Sequence, residues 1–77
     1  LYPNPTNDAA TLVLGSASHK RTTVTLFNSS GEIVDKIYNG NLSVGTHTFS
    51  IPKQSAGFYI VQIQSGNAVT HRKLIFE

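Results

Sequence analysis

Gly57-Phe58-Tyr59-Ile60-Val61-Gln62-Ile63-Gln64, then Ser65-Gly66-Asn67, then Ala68-Val69-Thr70-His71-Arg72-Lys73-Leu74-Ile75-Phe76-Glu77, is the stretch that decides the fold. Side chains alternate across a strand, so Tyr59, Val61 and Ile63 share one face while Ile60, Gln62 and Gln64 share the other. The first set is the one expected in a core. A glycine admits the chain to this strand, and the polar Ser65-Gly66-Asn67 turn reverses it into a last strand carrying the basic pair Arg72-Lys73.

The same signals recur towards the N-terminus. Runs of Thr, Val, Ile, Phe and Tyr are broken at short intervals by Asn, Gly, Ser and Pro, and no window keeps an uninterrupted helical period. Strands are expected at about Ala10–Leu14, Thr22–Phe27, Glu32–Tyr38, Thr46–Ile51, Phe58–Gln64 and Ala68–Phe76, and an extended piece around Tyr2–Pro5 would add an edge. Asn28-Ser29-Ser30-Gly31 has the order of a type I turn closed by a residue free to take positive φ. Asn39-Gly40 suits a type I′ turn, here opening a longer connection through Asn41 to Gly45. Pro52 ends one strand, and Lys53 to Gly57 lead into the next.

Val24 and Leu26 oppose Thr23 and Thr25, and Phe49 and Ile51 oppose Thr48 and Ser50. One polar face per strand predicts antiparallel sheets, each with one wet side. The expected fold is all-β: a small antiparallel immunoglobulin-like β-sandwich of about six to seven strands. The last strand breaks the alternation, because Val69 and Ile75 lie on one parity and Leu74 and Phe76 on the other. Either a bulge at Arg72-Lys73 resets the register, or the apolar tail is partly exposed and offers a docking edge.

Length and composition narrow the function. The 77 residues make one domain, spanning residues 1–77, and contain no cysteine for a disulfide or a thiolate metal site. Six Lys and Arg against four Asp and Glu give a formal charge of +2, dispersed in pairs at most, as Lys20-Arg21 and Arg72-Lys73. Nucleic-acid binding calls for a basic stripe, which is missing. No apolar run approaches the ~20 residues of a membrane-spanning helix. The chain opens abruptly at Leu1 and reads as the C-terminal tail of a longer exported protein, whose signal peptide would lie upstream.

No catalytic pattern emerges. His19, His47 and His71 have no spacing that would converge them on a metal, so no metal and no cofactor is expected. His47 shares parity with Phe49 and Ile51, which suits a core-edge residue with one ring nitrogen hydrogen-bonded. The serines lie in turns or on polar faces rather than in a nucleophile elbow, and Asp8, Glu32, Asp35 and Glu77 form no carboxylate pair. The chain is read as a non-enzyme. A carbohydrate-binding or adhesive module retained on a secreted enzyme is the alternative, for which Phe27, Tyr38 and Phe58 are the rings whose parity could expose them.

In order, the chain carries Tyr2-Pro3-Asn4-Pro5, then Val24 to Phe27 running through Asn28-Ser29-Ser30-Gly31 into Glu32-Ile33-Val34, then Gly57-Phe58-Tyr59, then Lys73-Leu74-Ile75-Phe76. This order resembles the C-terminal sorting domains (type A) of the type IX (Por) secretion system of Bacteroidetes, over essentially the whole chain. Glu32 departs from the pattern, since the family often places a basic residue there. The resemblance implies a non-catalytic label on an N-terminal cargo, passing through the periplasm and ending at the cell surface or outside the cell. Its implied partners are the translocon and a sortase-like protease that cuts at or before Leu1. Recognition would use the final hairpin through Gly57, Tyr59, Gly66, Lys73, Leu74, Ile75 and Phe76, with Tyr2 to Pro5 as the opening motif and Asn28 and Gly31 as a structural turn. Gly57 and Tyr59 serve equally well as residues that hold the sandwich together.

Overall fold

The computed structural model describes residues 8–16 and 20–77, so the expected strand at Tyr2–Pro5, and His19, lie outside the described residues. Six strands follow in chain order: β1 (Ala10–Ser16), β2 (Lys20–Asn28), β3 (Ile33–Leu42), β4 (Gly45–Ile51), β5 (Gly57–Ser65) and β6 (Ala68–Phe76). They form a four-stranded sheet in the order β3-β2-β5-β6 and a two-stranded sheet of β1 with β4, all antiparallel. The chain thus leaves the small sheet after β1, builds the β2–β3 hairpin, and returns as β4. It then adds the β5–β6 hairpin beside β2.

The facing sides of the two sheets make the core. Ala10 and Leu12 of β1 and Ile51 of β4 meet Val24 and Leu26 of β2, Tyr59, Val61 and Ile63 of β5, and Leu74 and Phe76 of β6, all buried. Of these, Val24, Leu26, Ile51, Tyr59, Val61 and Ile63 are residues that alternation assigned to inner faces. Removing their apolar surface from water is the main term holding so small a sandwich together.

Two turns have the expected chemistry. In the β2–β3 turn Gly31 N–H donates to the Asn28 carbonyl (3.0 Å) and Asn28 N–H to the Glu32 carbonyl (2.9 Å), with Gly31 at φ 85°. This is a type I turn closed by a glycine bulge. Gly66, at φ 58°, is the first residue of the two-residue β5–β6 loop, and no non-glycine residue among those described has positive φ. That is the type II′ arrangement. The Gly66 N–H also donates to the Arg21 carbonyl of β2 (3.2 Å), which ties the loop to the sheet.

Asn39-Gly40 is not a turn. Both residues lie inside β3, paired with Thr23 and Thr22. The Tyr38 ring lies over Gly40, whose missing Cβ would sit 3.0 Å from the Tyr38 hydroxyl, and that hydroxyl donates to the Asn41 carbonyl (3.1 Å). The strand runs on past this glycine as far as Leu42, which is buried. The reversal falls instead at Ser43-Val44.

The wet-face expectation also needs correction. Register shifts between Val24 and Thr25 and between Leu26 and Phe27 bulge β3 against β2. As a result Ile37 and Tyr38, consecutive in sequence, both pack against the core. β6 has no such bulge. Its register with β5 is unbroken from Ala68↔Ser65 to Phe76↔Gly57, so Leu74 and Phe76 point inward while Val69 and Ile75 point outward and are exposed.

Candidate functional site

The β5–β6 hairpin, on which the motif residues converge, divides them by parity. Gly57 enters β5 at φ 147°, a conformation that side chains of L-residues rarely adopt. No atom lies within 4 Å of where its Cβ would be, so the requirement is backbone geometry rather than space. Two residues on, the Tyr59 hydroxyl reaches back and donates to the Ser55 carbonyl at 2.7 Å. A buried tyrosine bonded to the backbone a few residues upstream is the corner device of immunoglobulin-like sandwiches. The Tyr59 ring meets Phe76 edge-on, centroids 5.4 Å apart at 88°, and sits opposite Leu74. Tyr59, Leu74 and Phe76 therefore form one buried joint between strand entry and strand end, with the exposed Gly57 paired to Phe76 at its edge.

The alternate residues face outward. Phe58 is opposite Ile75, and Ile60 is opposite Lys73. The Lys73 ammonium stands 4.9 Å from the centre of the Phe58 ring, a cation–π contact at the surface. Beside it lies a shallow groove of about 410 Å³ lined by Phe27, Asn28, Phe58, Ile60, Gln62 and His71, among others. His71 Nε2 and Gln62 Oε1 are 3.1 Å apart within it.

At the groove end of β2, Asn28 holds its turn through its side chain as well. Its Oδ1 accepts from the N–H groups of Ser30 and Glu32, both at 3.0 Å. Its Nδ2 donates to the Glu32 carboxylate at 3.2 Å. Glu32, the departure from the family's sequence pattern, is thus a latch on the turn. His47, half-buried, places Nε2 2.8 Å from the Ser43 carbonyl. Among the described residues, no three His, Asp or Glu side chains gather as a metal site.

The rings weighed for sugar stacking do not lie flat to solvent. Tyr38 packs on Phe49 with centroids 5.0 Å apart, Phe27 is half-buried, and Phe58 is partly covered by Lys73. Ile33 and Ile60 also contribute to the outward face, which the alternation of a single strand does not show. Only the strand register reveals them, because Phe27 pairs with both.

Together these features define an immunoglobulin-like β-module that carries the motif residues on its last hairpin. The model of the secretion system C-terminal sorting domain matches residues 1–77, and the chain belongs to that family, the sorting domain of type IX secretion. No curated protein and no solved structure matches the chain. As a member it is a sorting signal rather than a catalyst, directing attached cargo to the cell surface or beyond through the type IX machinery.

Proposed function

We propose that this domain carries its cargo from the periplasm to the translocon, is read there through the outward side of the β5–β6 hairpin, and is afterwards removed by a sortase-like protease. The alternation along β6 carries the reading. Lys73 and Ile75 are presented to a partner, whereas Leu74 and Phe76 are buried against Tyr59 and its neighbours. The motif Lys73 to Phe76 therefore has two tasks, with its odd positions recognised and its even positions holding the strand in place. Gly57, Tyr59 and Gly66 contribute by fixing the backbone of the hairpin.

The test is a periplasm-directed fluorescent protein fused in front of Leu1–Glu77, expressed in a host with a working type IX system and in its translocon-null counterpart. Fluorescence at the surface or in the medium only in the first host, with the released cargo lacking the mass of the domain, is the expected result. Periplasmic retention in both hosts would reject the sorting role, and export of an uncleaved fusion would reject the protease step alone. Truncation before Lys73 is a poor probe, because it also removes Leu74 and Phe76 from the core.

A further inference from the structure

The outward side of the four-stranded sheet is apolar at one end. Pairing of Ile33 with Phe27, Phe27 with Ile60, and Ile60 with Lys73 puts these residues in a single row across all four strands. Phe58 and Ile75, themselves paired, extend the row into a shelf beside the groove. Ile33 is 54% exposed, Phe58 44% and Ile75 37%. Contiguous apolar side chains of this kind on a sheet face mark an interaction surface.

Charge selects the occupant. The outward strand positions carry Arg21, Lys36 and Lys73 with the imidazole of His71, and no carboxylate. Asp35, inside β3, pairs with the buried Leu26 and so takes the opposite parity, while Glu32 and Glu77 lie beyond the strand ends and Glu32 is engaged by Asn28. A second copy laid face to face would bring two faces with the same cationic charge together, which opposes self-association. Three dispersed cations on a fixed β surface are also few for holding an anionic membrane.

We infer that the Ile33–Phe27–Ile60 row, with Phe58 and Ile75, docks a protein surface that presents an apolar ridge flanked by carboxylates. This rests on the sorting reading and names the surface through which the export machinery holds the domain. The partner would contact residues of both hairpins at once, so an isolated β5–β6 hairpin would lack half of the site.

The experiment is export of the fluorescent fusion carrying Ile33→Glu, Ile33→Thr or Lys36→Glu, beside Val13→Glu and Val44→Glu as controls. Val13 and Val44 are comparably exposed but lie away from this face, on β1 and in the β3–β4 turn. Thermal melts of each purified domain check folding, and Ile33→Thr is the mild change that keeps a β-branched residue. Export falling at least tenfold for Ile33→Glu and severalfold for Ile33→Thr and Lys36→Glu, with both controls near wild type, is expected. Wild-type export of all three face variants would overturn the docking surface and leave the sorting role standing. Failure of the wild-type fusion itself would instead be a failure of the sorting reading. Sedimentation of the domain as a dimer that Ile33→Glu disperses, or its retention on phosphatidylglycerol vesicles, would overturn the choice of partner.

Discussion

Phe58 and Tyr59 are neighbours in sequence and have opposite fates, as do Ile75 and Phe76 across from them. The inner side of the β5–β6 hairpin is closed: Tyr59, Leu74 and Phe76 contact one another in a buried joint, and the Tyr59 hydroxyl is bonded to the backbone. The outer side is apolar too, yet Phe58 and Ile75 are left exposed beside a groove with Lys73 above the ring. Composition alone does not distinguish the two sides. What distinguishes them is whether a second sheet lies opposite, since β1 and β4 cover only one face. Substitutions on the closed side should act through stability, and those on the open side through recognition.

The largest way to break that comparison is Phe76→Ala. Truncating a buried Phe costs about 3–5 kcal/mol. A domain of 77 residues has a total of only roughly 4–12 kcal/mol. Urea denaturation should show a midpoint lowered by about a quarter or more, down to complete unfolding at the low end of that range, and a midpoint near wild type would mean that the end of β6 is not part of the core. Next is Gly57→Ala, expected to cost about 1–3 kcal/mol from backbone strain at φ 147°. Gly15→Ala is its control, because Gly15 has neither positive φ nor an atom within 4 Å of the added Cβ. That change should be neutral or stabilising by up to about 1 kcal/mol. Equal losses at both positions would remove the special role of Gly57.

Tyr59→Phe keeps the edge-on ring and removes only the hydroxyl. The lost bond to the Ser55 carbonyl should lower stability by about 1 kcal/mol in the same denaturation experiment. A change of several kcal/mol would show that the corner organises the Pro52–Gly57 connection as well as closing it.

The closed side was far more legible in the sequence than the open one. Tyr59, Val61 and Ile63 announce a buried face because period-2 alternation is a property of one strand, readable without any partner. The Asn28 and Gly66 turns were readable for a similar reason, as the residues that fix their geometry are adjacent. Asn39-Gly40 misled because its local preference for a type I′ turn is overruled by what lies around it. The Tyr38 ring covers the glycine, and the bulged pairing with β2 carries the strand on to Leu42. The row from Ile33 through Phe27 to Ile60 was invisible because it is assembled from three strands by register. The two bulges then change the parity of β3 in ways no single-strand pattern records. Leu74 and Ile75 looked like one apolar tail, and only the absence of a bulge in β6 separates them.

The smallest stability effect sharpens the comparison most. Lys73→Gln removes the charge above Phe58 while keeping a hydrated side chain at an exposed position. A surface cation–π contact contributes about 0.5–1 kcal/mol, so the denaturation midpoint should move little. If the outer side is where the domain is read, export of the fusion should nevertheless fall severalfold, while Tyr59→Phe, which costs as much stability or more, should still be exported. Loss of export that instead tracks stability across Lys73→Gln, Tyr59→Phe and Gly57→Ala would mean that the machinery senses only whether the domain is folded. The division between the two sides of the hairpin would then be a matter of packing and not of recognition.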